Sequence, residues 1–385
     1  MWLGACTSSI GTWMQSLAQS WLVLEISRNP FYLGLDSFLG QIPIFLFSIV
    51  GGVVADRMDR RRVLIGSQVV QMSCAFLLAA LFAAGVVHVW HIMALSFVVG
   101  TAQAFGGPAY QALVPTLVKS EDLPNAIALN SIQFNLARII GPVLGGLALT
   151  QLGASWCFSL NGVSFIAVIV TLFLVRPDFS PKKDTRPMLD SMKQGISFIR
   201  ERPEMGSLIV IAFLMTMFGF PLVVFLPVFA RDIFHLGPDG FRNFLVVSGA
   251  GSVLGALLVA TFHQGRKKGR LAVIGLAVLG LLVVAFSLSR FLPLSLLALF
   301  LASAALMTCF AMISSLVQLI CTDEMRGRVM SVYNVAFRGG MPFGSLITGY
   351  YVKDLGAPVV LTVCGVLLVA MGLYLMLVQK KVYEL

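Results

Sequence analysis

Apolar residues run along this chain in long blocks, each closed by a short cluster of charge, proline or glycine. Twelve blocks can be delimited: 2–26, 31–54, 63–86, 90–112, 125–150, 155–176, 205–230, 241–263, 270–289, 293–319, 327–351 and 358–380. Each reaches the roughly 20 residues that a helix needs to cross the hydrocarbon core of a bilayer. Lipid cannot satisfy backbone polar groups, which leaves helices or closed barrels as spanning structures. Barrel strands alternate apolar and polar residues, and that alternation is absent. The pattern predicts an all-α polytopic membrane protein with twelve transmembrane helices.

The longest polar interruption, 177–203, follows the sixth block. Its second part, MLDSMKQGISFIRER, spaces Met188, Met192, Ile196 and Ile199 at intervals of three and four. That spacing predicts an amphipathic helix lying on the membrane surface. The expected organisation is an N-terminal six-helix half (1–176), a linker (177–203) and a C-terminal six-helix half (204–385). An internal repeat supports two pseudo-symmetric halves. FNLARIIGP (134–142) matches NVAFRGGMP (334–342), placing Arg138 on Arg338 and Pro142 on Pro342. The segment DRMDRRRVLIG (56–66) has a counterpart in QGRKKGRLAVIG (264–275), which keeps cations but has Gln264 where Asp56 stands.

Composition agrees. Of 385 residues, 58% are hydrophobic and 11% charged, against about 25% charged in soluble domains. The net charge of +10 is explained by topology rather than by nucleic acid. With residue 1 placed in the cytoplasm, twenty Lys and Arg fall in inner loops and termini and five in outer loops. This bias orients the chain in the cytoplasmic (inner) membrane with both termini cytoplasmic. The first block is too long for a signal peptide and lacks a basic leader, so it reads as a spanning helix behind a trimmed or very short start. The six Cys form no C-x-x-C pair and the four His do not cluster, so no metal site or disulfide is expected. No phosphate-binding loop ending in Lys-Ser/Thr and no nucleophile set is found. ATP, other cofactors and enzyme chemistry are therefore not expected.

Twelve helices in two halves, with a basic knot after the second, resemble the major facilitator superfamily. Its loop motif G-x-x-x-D-R-x-G-R-R is matched by Gly52, Asp56, Arg57, Asp59, Arg60 and Arg61, followed by Arg62. Asp59 replaces the motif's last glycine, and Asp too tolerates a left-handed turn. ARIIGPVLGG (137–146) resembles the Gly-Pro-x-x-Gly-Gly signature of superfamily exporters, here Gly141, Pro142, Gly145 and Gly146. GTWMQSLAQSWLVLEIS, LVPTLVKSEDLPNAIALN and MRGRVMSVYN extend the likeness to the secretion-effector branch, which includes enterobactin and macrolide exporters. The fourth block lacks the Arg of proton-coupled drug exporters.

The resemblance implies that Asp56 meets the N-terminus of the eleventh helix near Gly327 when the cytoplasmic side closes, a latch favoured by the helix dipole. Alternatively the cluster is only a topological anchor. Arg138, with Asn135 and Pro142 on one helix face, either fixes the bundle or meets an anionic group of the substrate, and Arg338 repeats the arrangement. The glycines allow close helix packing, and Pro142 a bend. Asp36, about five residues into the second helix, either sits at headgroup depth or carries a proton. Glu25 is a second proton candidate. If the family layout holds, helices 1, 4, 7 and 10 line a cavity. Helix 1 would give Thr12, Gln15 and Gln19; helix 4, Gln103 and Tyr110; helix 7, Thr216, Phe218 and Phe220; helix 10, Thr308, Ser314 and Gln318. Asn135 and Arg338 are further lining candidates. A neutral, hydrogen-bonding and aromatic lining suits an amphiphilic solute.

The expected function is secondary export of a small amphiphilic compound of drug, macrolide or siderophore type by alternating access, coupled to protons. Small molecule, lipid and proton are the expected partners, and the protein is expected to be a monomer. A lipid flippase or an importer would share the fold. A receptor or enzyme would need an added domain or catalytic set.

Overall fold

The structure is a computed structural model that describes residues 1–174, 188–261 and 268–378. It is helical throughout these residues. The first six helices are α1 (Trp2–Ser27), α2 (Phe31–Arg57), α3 (Arg60–Ala83), α4 (Val89–Leu113), α5 (Leu123–Gln151) and α6 (Ala154–Leu174). A short helix, α7 (Met188–Arg200), follows. Next comes a broken span: α8 (Pro203–Gly219), α9 (Pro221–Val224), α10 (Leu226–Val228) and a π-helical turn, Phe229–Ile233. The last five are α11 (Pro238–Thr261), α12 (Lys268–Leu288), α13 (Leu292–Ile320), α14 (Asp323–Leu355) and α15 (Ala357–Leu377). Counting the broken stretch once gives twelve long helices among the described residues, the number that the pattern predicts. The break itself was not foreseen. Pro221 and Pro227 each lack a backbone donor and stand in the first turn of a new segment, where that donor is not needed.

Ten spans are long and apolar enough to cross a membrane by themselves. α1 and α14 are the exceptions among the described residues. α1 carries Thr7, Ser8, Ser9, Thr12, Gln15, Ser16, Gln19 and Ser20, and α14 opens on Asp323, Glu324, Arg326 and Arg328. Both have the length to span, at 26 and 33 residues.

Two compact units form: Met1–Thr185 with Leu236–Val246, and Arg186–His235 with Val247–Leu385. In the first, α1 packs on α5 and α6, α2 on α4, and α3 on α4 and α6. Ala55, Leu64, Ala109, Leu113, Val168 and Leu172 form a buried cluster joining α2, α3, α4 and α6. The second unit repeats the scheme. α8 packs on α14 and α15, and α12 on α13 and α15. α7 docks against α14 and α8, with Gly195 so close to the Arg328 carbonyl that a methyl group there would meet it. Ile196 is exposed and Ile199 half-buried; the side chains of Met188 and Met192, like Gln264, lie outside the described residues.

The repeat reappears as packing. Gly141 and Gly145 of α5 leave no room for a side chain against α1, at Trp13, Ile10 and Met14. Gly340 and Gly344 of α14 do the same against α8, at Phe213, Thr216 and Met217. Close helix approach through small residues is the usual adhesive in membranes, where helices gain no hydrophobic energy from each other.

Candidate functional site

The loop cluster is built from the ends of four helices. α2 ends on Arg57, and α3 begins at Arg60. Asp59 is the N-cap of α3: its Oδ1 accepts the Arg61 backbone N–H at 2.9 Å. Its φ is −59°, so the left-handed turn allowed for above is not used. Asp fits this position because a cap needs an acceptor. Arg60 donates through Nε to the Ala55 carbonyl at 3.2 Å and through Nη1 to Ala112 at 3.0 Å, tying the ends of α2 and α4. It also meets Asp56 at 3.6 Å. Arg61 donates to the Phe173 carbonyl of α6 at 3.0 Å and lies over the Phe173 ring. Arg62 pairs with Asp59 at 3.5 Å. Asp56 and Arg57 are exposed, and Gly52 is half-buried in α2.

Asp36 stands away from this cluster, inside the first unit. It lies beyond the first turn of α2, which holds no acidic residue. Its partners come from neighbouring helices. Gln19 Nε2 of α1 donates to Oδ1 at 3.1 Å and Oδ2 at 3.0 Å. Ser96 Oγ of α4 donates to Oδ1 at 2.5 Å. Gln15 Nε2 donates to Gln19 Oε1 at 3.4 Å, and Asn161 Nδ2 of α6 to Gln15 Oε1 at 2.6 Å. These groups border a chamber of about 260 Å³ among α1, α2, α3, α4 and α6. Thr12, Gln15, Gln19 and Asp36 of the sequence reading meet there. Gln41, Gln71, Ser96 and Asn161 join them and were missed, although each is a polar residue inside an apolar block, the signal that marked Asp36.

The other candidates lie elsewhere. Gln103 accepts from Gln71 at 3.2 Å and is exposed. Tyr110 donates to Asn130 at 2.9 Å. Asn135 donates to the Ser131 carbonyl of its own helix. Arg138 lies 5.7 Å from the Trp13 ring centre on α1, and Trp13 meets Phe134 edge-on. Gly146 lies under the Arg242 side chain, and Pro142 is buried within α5. Thr216 is 2% exposed and donates to the Phe337 carbonyl. Phe218 is half-buried, and Arg338 and Glu25 are exposed. The paired His88 and His91 serve α4: His91 Nδ1 accepts the His88 N–H at 3.0 Å.

A family profile of transmembrane secretion effectors matches residues 1–384. The chain belongs to this family of the major facilitator superfamily. It is similar to macrolide efflux protein A of Streptococcus pyogenes, at 22% identity over 97% of the chain and 93% of that protein. The enterobactin exporter EntS of Citrobacter koseri is 25% identical over 91% and 84%. A crystal structure of a bacterial homologue of the lysosomal transporter Spinster superposes with a TM-score of 0.78 at 14% identity, covering 98% and 96%. Family and relatives make the chain a multi-pass membrane transporter rather than an enzyme. In this secretion effector, the loop cluster and the Asp36 chamber both bring charge against helices of the first unit.

Proposed function

We propose that the protein is a secondary exporter of a small amphiphilic compound across the cytoplasmic membrane, driven by protons and working by alternating access. The observation that carries the reading is the Asp36 chamber: an ionisable group within a membrane span, held by Gln19 and Ser96. Such groups mark ion pathways in transporters. Relatives named as macrolide and enterobactin exporters favour outward movement of an amphiphile. The excess of Lys and Arg in one set of loops supports a cytoplasmic position for both termini and the Asp56 cluster. There Asp56 would latch the inner face shut against the N-terminus of α14 while the site opens outward. Proton uptake by Asp36 would reset the cycle. The test is transport of a fluorescent amphiphile such as ethidium by inside-out proteoliposomes under an imposed pH gradient. Gradient-driven movement that disappears in Asp36→Asn is the expected result. Movement unaffected by that change removes Asp36 from the coupling, and no gradient-driven movement of any amphiphile overturns export.

A further inference from the structure

At 13 residues, α7 is too short to cross a membrane, yet it is firmly seated. Gly195 brings its backbone against the Arg328 carbonyl and Val332 of α14. At its end, Glu201 and Arg202 carry the chain straight into α8. Backbone bonds pin this corner: the Arg202 N–H donates to the Ile199 carbonyl at 3.1 Å, and the Arg202 carbonyl accepts from the Met205 N–H at 3.0 Å.

Three segments of the second unit reach one level here. Arg202 stands one residue before the span that opens at Pro203, and Cys321 one residue after the span that closes at Ile320. Arg326 stands in the first turn of α14, which opens at Asp323. The apolar spans stop at this level, and in a bilayer the headgroups begin where the hydrocarbon ends.

The cations at this level are short of acceptors. The Arg202 guanidinium lies on the Phe198 ring of α7, 3.7 Å from its centre. A guanidinium stacked in this way keeps its fork of N–H donors in its own plane, where it matches an oxyanion. The protein does not fill that fork. Nη1 is buried with no hydrogen-bond partner among the described residues. Arg202 as a whole is half-buried, so the rest of the fork meets the surface. Glu201, Glu204 and Glu324 are near in sequence, but among the described residues none of them forms an ion pair with Arg202. Arg326 bears on the same spot. Burial raises the pKa of the Cys321 thiol, and the charges of Arg326 and Arg202 pull it the other way. Arg328, two residues on, gives its Nη1 to the Met325 sulfur at 3.3 Å, a weak acceptor. A guanidinium edge left without an acceptor costs stability, and a phosphate supplies acceptors in the geometry that Arg fits best. Basic pockets at the ends of membrane helices take lipid headgroups in this way.

We propose that the corner between α7 and α8 binds the phosphate of an anionic phospholipid between Arg202 and Arg326, and that this lipid fastens α7 to α14. The site does not depend on what the protein carries. Its occupant comes from the bilayer because the guanidiniums stand at the end of the spans, where a headgroup arrives with its chains already in the hydrocarbon.

The experiment uses the full chain purified in dodecyl maltoside, to which phosphatidylglycerol, phosphatidylcholine or inorganic phosphate is added. Phosphatidylglycerol should raise the melting temperature by roughly 1–4 °C, because a ligand of the folded state stabilises it. Phosphatidylcholine, whose phosphate is balanced by its own cation, should not. Inorganic phosphate at the same concentration should not either, since it has no chains to hold it at the surface. Arg202→Gln and Arg326→Gln should each weaken phosphatidylglycerol at least about tenfold in apparent affinity. Arg202→Lys, which keeps the charge and loses the fork, should fall between. Lys353→Gln, at the opposite end of α14, should respond like the parent. In the unaltered protein, phosphatidylglycerol should slow maleimide modification of Cys321, followed by peptide mapping, and phosphatidylcholine should not. That readout stands even if an Arg202 variant misfolds. An equal response to phosphatidylcholine, an unchanged Cys321 rate, or a full response in Arg202→Gln overturns the proposal. So does Lys353→Gln losing as much as Arg202→Gln, which would make the effect one of net charge. An equal response to inorganic phosphate makes this a site for a soluble anion and removes the lipid.

Discussion

Asp59 shows how much one atom decides. The superfamily loop has glycine at this position, and a sequence reader weighs the change as a matter of backbone freedom. The structure gives the Asp a job of its own, as acceptor for the Arg61 N–H at the start of α3. Asp59→Ala should therefore lower the unfolding free energy by about 1 kcal/mol, while Asp59→Asn, which keeps the acceptor, should leave it nearly unchanged. The exposed pair with Arg62 adds little to either result. Arg138 is the second residue whose part is read from contacts. Its guanidinium lies over Trp13, a contact that joins α5 to α1 and contributes about 0.5–2 kcal/mol according to how dry it is. Arg138→Ala should lower the melting temperature with substrate affinity intact. Weakened affinity at unchanged stability would instead place Arg138 on the substrate. Asp36 was legible because a lone carboxylate in an apolar block is conspicuous. Ser96 and Asn161 were not, because a single hydroxyl or amide in a membrane helix usually only bonds its own backbone or a neighbour, and sequence cannot say which way it faces.

At the scale of helices, the apolar blocks had their ends legible to within a few residues, since charge and proline close them. The partners were less legible. The sequence repeat aligns Arg138 with Arg338 at an offset of 200 residues. The close-packing glycines, Gly141 and Gly145 against Gly340 and Gly344, are related by 199. A side-by-side reading of the two halves hides that equivalence, because the motif aligns on its Arg and Pro and leaves the contact surface one residue out of step. In each unit these glycines bring a helix backbone against its neighbour, α1 in one and α8 in the other. Gly145→Val and Gly344→Val should each force their pair apart and cost about 1–3 kcal/mol, read as a lower melting temperature and poorer membrane yield. Ala in place of Val should fall between. A Val variant with unaltered stability would mean that the helices can separate freely, against the packing seen. The break in the seventh span belongs to the same scale. Pro221 and Pro227 were visible, but whether proline bends or breaks a helix depends on what surrounds the freed carbonyls, which only the bundle supplies.

For the whole molecule the question is what Asp56 contributes. The cations around it have tasks inside their own unit: Arg60 holds the ends of α2 and α4, and Arg61 the end of α6. Asp56 has no comparable task among the described residues. Its side chain is 66% exposed and its ion pair with Arg60 is 3.6 Å long, the kind of surface pair that contributes about 0–1 kcal/mol. Folding of the unit would therefore hardly notice its removal, and a latch reading would notice it strongly. Asp56→Asn should leave the melting temperature within a degree or so of the parent, since a loss near zero moves the midpoint little, and should slow transport severalfold. Arg60→Ala should do the opposite in part, lowering stability because two carbonyls lose their donor. If Asp56→Asn transports at the parent rate, the acid is ornament to a basic anchor and the latch is refuted. If it loses stability along with transport, Asp56 is holding its own unit together. A fall in transport at constant stability has one source left: a conformation in which the carboxylate meets a partner beyond that unit. The double substitution Asp56→Cys with Gly327→Cys, in a background without the native cysteines, should then form a disulfide on oxidation and trap the transporter with its inner face closed.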